Sequence, residues 1–330
     1  MKAVIHEGKQ GLDGVRVAEM EEAIPSATEV KVRLKVSGLN HRDLFIPFRH
    51  KEHEPAVILG SDGAGIVEAV GENVKSIKEG DEVIIIPSLG WEKNSPAPPE
   101  GFEILGYPNH GTFAETIVVP AVNVVKKPRS LTWEEAGVLP LAALTAYRAL
   151  FTRGNIQEGQ HLLLPGIGSG VATFILQMAK AAGAKVTVTS RSEWKREKAL
   201  QLGADAAVDS AGDWNEQMNG EKVDIVIDSV GSATFQKSLN QLKPGGTFVV
   251  FGSSTEDEVT LNLRSFFYGQ YNLLGSTMGS TEEFVEMLSF VEKNNIKPVI
   301  DKVFPLTEAL DALRRLEAAE QFGKIALNIS

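Results

Sequence analysis

A glycine-rich turn set between an apolar strand and an amphipathic helix constrains this chain more than any other feature. The run "HLLLP" at 161–165 is followed by Gly166, Gly168 and Gly170. Then Val171, Phe174, Ile175, Met178, Ala179 and Ala182 recur at steps of 3, 1, 3, 1 and 3, one face of a helix. Glycine suits that turn because a Cβ would block it and hold the backbone off a diphosphate, while the helix N-terminus offers unpaired N–H groups and the positive end of its dipole. The spacing is not a strict G-x-G-x-x-G, since Val171 takes the final position in one register and Ala172 lies one further on. On the motif alone, an ordinary structural turn is the competing reading. Its surroundings favour a dinucleotide: a strand precedes it, a helix follows, and the alternation continues through "KVTVTS" (185–190), "EWKREKALQLG" (193–203), "VDIVIDSVG" (223–231), "ATFQKSLNQL" (233–242) and "GGTFVVFG" (245–252). Gly166, Gly168, Ser169, Gly170 and Val171 are therefore the expected diphosphate cradle.

The end of the next strand bears on which dinucleotide. An NAD site usually places an acid there for the ribose hydroxyls, whereas a 2′-phosphate needs cations and hydroxyls. The strand ends "VTVTSRSEWKR", with Ser190, Arg191 and Lys195 in that region and no acid before Glu193, so NADP is the expected cofactor. The plainer alternative makes Ser192 a helix cap and leaves Arg191 and Lys195 as solvated charges.

Residues 1 to about 128 read differently, as β-branched runs broken by turns: 15–20, 29–36, 65–71, 82–87 and 114–120. Within them, 88–111 is rich in Pro and Gly without a clear period, a long ordered loop or lobe. Thr132 can cap a helix over 132–151, which Pro140 should kink or split. Two amphipathic helices (281–294 and 307–321) and a terminal strand "KIALNI" close the chain. A length of 330 residues, at ~150 per domain, gives about two domains. Net charge is −10 with no Lys/Arg-rich block, which disfavours nucleic acid and membrane surfaces as partners and leaves a small-molecule substrate. The start of the chain shows no apolar run fit for a signal peptide, and a cytoplasmic location is expected. There is no cysteine, hence no disulfide, no thiolate nucleophile and no Cys-built metal site.

The stretches "SGLNHRDL" (37–44), "LGSDGAGIVEAVGENV" (59–74), "EGDEVIIIP" (79–87), "GTFAETIVVP" (111–120), "LTAYRAL" (144–150), the glycine turn, "DIVIDSVG" (224–231), "LKPGGTFVVFG" (242–252) and "FGKIALNI" (322–329) resemble, in order, the medium-chain dehydrogenase/reductase superfamily. The resemblance covers essentially the whole chain. It implies an α/β protein in which a doubly wound Rossmann sheet (129–276) is inserted into a GroES-like mostly-β domain (1–128 and 277–330), with the active site in a cleft. The zinc alcohol dehydrogenases of the family hold catalytic zinc with a Cys, a His-Glu and a second Cys. Those places carry Asn40, then Ser61 and Asp62, then Leu141 or a neighbouring Ala, and the 88–111 lobe lacks the four cysteines of the family's structural zinc. The residues look like the zinc-free quinone oxidoreductase branch, with its enoyl and acrylyl-type reductases. His41, His50, His53 and His110 are the remaining metal candidates, and "FRHKEHEP" reads as a solvated loop.

The resemblance also distributes roles. Asn40 is expected near the nicotinamide as an amide donor and Arg42 stands where the alcohol dehydrogenases carry a proton-relay hydroxyl, so the two are expected to polarise the substrate. The plainer readings are a turn residue for Asn40 and a surface ion pair for Arg42. Lys324 matches a cation near the cofactor diphosphate, with a buried pairing to Asp43 as the alternative. Thr145 matches a threonine that packs on the nicotinamide, or else fills the core of the kinked helix. Gly252 closes the last cofactor-side stretch. The reaction expected is NADPH-dependent, metal-free reduction of quinones or α,β-unsaturated carbonyls; an alcohol/aldehyde dehydrogenase and a non-catalytic NADPH-binding redox sensor are the rivals. The resemblance further implies a homodimer or higher homo-oligomer through the edge near 252–276.

Overall fold

The structure, a computed structural model, describes residues 1–329. The chain forms two compact units, Met1–Leu144 with Gly279–Ser330, and Thr145–Met278.

In the second unit the Val- and Ile-rich runs, buried on both faces as a covered parallel sheet requires, become a six-stranded sheet. Its spatial order is Ala206–Asp209, Lys185–Ser190, His161–Leu164, Val223–Asp228, Leu242–Val250, Asn272–Gly275, with every pairing parallel. This is the Rossmann order, and the direction of winding reverses between His161–Leu164 and Val223–Asp228, the place where such sheets receive ligands. The helix Gly170–Ala181 buries Phe174, Ile175, Met178 and Ala179, as the periodicity predicts. The strands Ala206–Asp209 and Asn272–Gly275 escape the sequence reading, the first being alanine-rich and the second largely exposed.

The first unit is mostly β. Glu29–Gly38 lies at its centre, flanked by Asp62–Val70 on one side and, at its end, by the chain's last strand Lys324–Asn328, with Ala326 opposite Gly38. That pairing carries Lys324 to the segment just after Gly38. Thr132 caps the helix Trp133–Val138 through a capping box with Glu135, and a second helix begins at Pro140. The boundary expected at 128/129 moves to 144/145, because the helix Trp133–Val138 and the first residues of the helix Pro140–Tyr147 belong with the β unit. Val138 is buried with Val36 and Ala326, and a Cβ at Gly137 would fall 2.6 Å from Val36 Cγ1.

The 88–111 lobe has a short ribbon, Ser88–Leu89 against Glu103–Ile104, and closes on an indole. Trp91 is buried edge-on to Phe102, donates Nε1–H to Ser95 Oγ, and accepts from Thr281 N through its carbonyl. The segment read as a solvated loop is partly a helix, Arg42–Arg49, and His50 at its end is 1% exposed, a correction to that reading. His53, by contrast, is exposed. No helix among the described residues is long and apolar enough to cross a membrane.

Candidate active site

Two groups of side chains carry the chemistry, one in each unit. In the β unit, Asn40 follows the central strand and precedes the helix Arg42–Arg49, and its amide is held at both ends. Lys324 Nζ donates to Asn40 Oδ1 at 2.6 Å, and Asn40 Nδ2 donates to Asp62 Oδ2 at 2.9 Å. The Lys324 ammonium also donates to Asp62 Oδ2 (3.0 Å) and Leu39 O (2.5 Å), while Asp62 Oδ1 accepts from Leu141 N at 2.7 Å. A cation on the oxygen and an anion on the nitrogen fix which way the amide points. Only one Nδ2 proton is used; the other has no acceptor among the described residues. Burial pushes the Asp62 carboxyl up, and the charge of Lys324 and the Asn40 hydrogen bond pull it back.

Lys324 is thus 3% exposed, and all three of its ammonium protons are engaged within this cluster. It has none left for a diphosphate, and its ion-pair partner is Asp62 rather than Asp43. Asp43 caps the same turn differently: Oδ2 accepts from Asn40 N at 2.7 Å, Oδ1 is buried without a partner, and burial raises its pKa to about 6. Arg42 is not in a surface ion pair. Its Nη1 donates to Ser61 Oγ and to Leu105 O, each at 2.6 Å, pinning the helix to the lobe. These donors do not suit zinc, which needs about three protein ligands and an open position. Of the positions equivalent to zinc ligands, Leu141 has no ligating side-chain atom and Ser61 Oγ is bonded to Arg42 and Leu105 O. Asp62 has both oxygens engaged beside an ammonium.

In the parallel-sheet unit the turn has the geometry of a cradle. Gly166 (φ +72°) and Gly168 (φ +129°) adopt backbone that L side chains rarely take, and a Cβ at Gly166 would fall 2.5 Å from Val230 Cγ2. Ser169 Oγ accepts from Ala172 N, leaving the N–H groups of Gly170 and Val171 without intrahelical acceptors. The Lys195 side chain lies over Gly168, with Nζ 3.3 Å from where a Cβ would be. Ser190 closes its strand, its Oγ accepting from Ser192 N, and Arg191 is exposed. Ser192, weighed as a cap for the next helix, makes no side-chain cap bond. Arg196, which the sequence reading missed, donates Nη1–H to Ser190 O at 2.7 Å and lies 3.7 Å from Asp209 Oδ1; its place one helical turn past Ser192 was the available signal. Thr145 is buried, its hydroxyl 3.9 Å from Met278 Sδ. Gly252 lies just beyond the strand Leu242–Val250, beside Ser229. The residues present therefore fit a dinucleotide diphosphate.

Comparison with known proteins is consistent with both units. Residues 26–129 match the alcohol dehydrogenase GroES-like domain, and residues 170–293 the zinc-binding dehydrogenase domain. A zinc-type alcohol dehydrogenase-like protein of Schizosaccharomyces pombe is 34% identical over 100% of this chain and 99% of its own length. The acryloyl-coenzyme A reductase of Sulfurisphaera tokodaii is 28% identical over 98% of this chain and 99% of its own. Among solved structures, an NAD-dependent alcohol dehydrogenase superposes with a TM-score of 0.94 at 35% identity, covering 100% of both chains.

Proposed function

This chain belongs to the medium-chain dehydrogenase/reductase family and is an oxidoreductase; from that premise we propose that it is an NADPH-dependent, zinc-independent reductase of quinones or α,β-unsaturated carbonyl compounds. The observation that carries this reading is the Lys324–Asn40–Asp62 cluster, an oriented neutral amide where zinc-dependent relatives need metal ligands. The acryloyl-coenzyme A reductase relative acts, by its name, on an activated alkene.

The nicotinamide, when bound, supplies the hydride. Gly166 and Gly168 let backbone approach the diphosphate, and the N–H groups of Gly170 and Val171 donate to it. Ser190, Arg191 and Lys195 receive the 2′-phosphate, with Arg196 steadying the carbonyl of Ser190. In conjugate addition, negative charge builds on a carbonyl or quinone oxygen. Asn40 donates its remaining Nδ2 proton to that oxygen, an amide donor set in advance by Lys324 and Asp62. Arg42 acts as a positioning residue that holds Ser61 and the lobe. The final proton comes from solvent.

The 35% identical NAD-dependent alcohol dehydrogenase favours a second reading, alcohol oxidation with NAD. Rates measured with NADPH against quinone and enone panels, and with NAD against primary and secondary alcohols, separate the two. Asn40→Ala should lower kcat on an enone about 10²-fold. Alcohol oxidation with NAD as the fastest reaction, or unchanged enone turnover in Asn40→Ala, would discard the proposal.

A further inference from the structure

Two histidines meet in the interior of the β unit, away from the Asn40 cluster. His6 Nδ1 and His50 Nδ1 are 2.7 Å apart, with His6 0% and His50 1% exposed. Each ring's other nitrogen faces a backbone carbonyl: His6 Nε2 lies 2.9 Å from Lys9 O and His50 Nε2 3.0 Å from Pro55 O. A carbonyl only accepts, so both Nε2 atoms carry hydrogen. Were both rings neutral, their bare Nδ1 lone pairs would face each other at hydrogen-bond distance. Satisfying all three contacts takes three protons on four nitrogens, which is one more than two neutral imidazoles hold.

We propose that His6 and His50 are a buried proton-bound imidazole pair with a single positive charge, and that this shared proton fastens the end of the helix Arg42–Arg49 to the N-terminal strand as a pH-sensitive latch. The surroundings suit one charge. His50 is the helix's C-cap, where the dipole favours a cation, and Glu54 Oε2 lies 3.8 Å from His50 Nε2. Tyr107 presents its ring edge-on to His50 and donates its hydroxyl to Glu54, and Lys51 contributes its backbone N–H to the same carboxylate. Arg49 is exposed on the helix's last turn. On the strand side, Glu7 is committed to Arg16, and Asp13 of the neighbouring short helix makes no ion pair with either ring among the described residues. Gly14 leaves room for the His6 ring, since a Cβ there would fall 2.6 Å from Nε2. The pair resists a second proton: burial, then the charge of His50, holds His6 below the ordinary histidine range.

The sign of the pH dependence follows from counting protons. With one shared proton required by the three contacts, stability falls as pH rises wherever the unfolded rings, with their ordinary pKa of ~6.5, together bind fewer than one. Below it the unfolded rings bind two and the folded pair one, so stability falls as pH drops. A histidine-ring ¹H–¹⁵N spectrum at about pH 7.5 should show three ring N–H protons shared by His6 and His50. Two neutral rings with one N–H each would overturn the proposal. The wild-type melting temperature minus that of His6→Asn, followed from about pH 5 to 9, should peak near neutrality, since the Asp43 contribution is common to both. His6→Asn supplies a neutral amide donor to His50 Nδ1 and should lose the alkaline decline, while an alkaline limb identical to wild type would refute the latch. Should that variant fail to fold, the wild-type spectrum still decides.

Discussion

Lys324 Nζ and Asp62 Oδ2 form a buried ion pair 3.0 Å long between residues 262 positions apart, and both partners also bind the amide of Asn40. Removing one member of such a pair leaves an uncompensated charge, which typically costs ~3–5 kcal/mol. Lys324→Met is expected to lose about that much in urea unfolding, and Lys324→Met/Asp62→Asn to recover most of it, because Asn keeps an acceptor for Leu141 N. The single variant's deficit should shrink as pH falls, since protonating Asp62 removes the stranded charge. A double variant no more stable than the single one would refute the pairing as the source of the loss.

Asp43 makes the opposite prediction. Its folded pKa of about 6 exceeds the ordinary 3.8 because of burial, so the native state keeps a proton that the unfolded chain releases. Stability therefore falls as pH rises from about 3.8 to 6 and stays lowered above that range. Asp43→Asn retains an oxygen for Asn40 N and removes the buried charge, and it should stabilise the protein at pH 7 by about 1–3 kcal/mol but not below pH ~4. Denaturation at both pH values tests this, and an unchanged or lowered stability at pH 7 would count against it.

What was legible in the sequence was local. The glycines of the turn and the helix face after it lie within one short segment, so the left-handed turn and the strand–helix alternation around it could be read from spacing. Thr132 and Pro140 likewise announced a capped helix and its break. The rest depends on residues brought together only by the sheets. Lys324 reaches Asn40 because the last strand pairs with Glu29–Gly38, and nothing in "FGKIAL" favours Asp62 over Asp43 as its partner. His6 and His50 are 44 residues apart with no shared period, and a run of charges around His50 concealed its burial. Arg42 looked like a surface cation because its partners are neutral: a hydroxyl and carbonyls contributed by the lobe.

The cofactor preference turns on the end of the strand Lys185–Ser190. Ser190 and Arg191 come before any acid in sequence, and Asp209, which lies opposite Ser190 on the neighbouring strand, has Arg196 3.7 Å away. NADPH should be preferred over NADH by kcat/KM. Ser190→Asp with Arg191→Ala puts a carboxylate where the 2′-phosphate would sit, and it is expected to cut that preference at least tenfold, about 1.4 kcal/mol. Equal use of both cofactors by the wild type would overturn the assignment of Ser190 and Arg191.

An exposed sheet edge leads to the last prediction. The strand Asn272–Gly275 pairs with Leu242–Val250 on one side only, and on its other side no strand pairs with it, although Gly275 O accepts from Arg153 Nε at 2.8 Å. Leu273 on that strand is exposed, and the helix before it exposes Leu263, Phe267 and Tyr268. Apolar side chains beside an open edge favour association, and a two-fold copy of the chain would pair the edges antiparallel and cover both sets of side chains at once. A homodimer through this edge is therefore expected at micromolar concentration. Leu273→Lys puts a charge on this exposed edge and should shift the protein to monomer without changing its fold. Sedimentation of the two proteins checks this, with circular dichroism as the control for folding. A wild-type monomer, or a variant that keeps the wild-type mass, would place the contact elsewhere or nowhere.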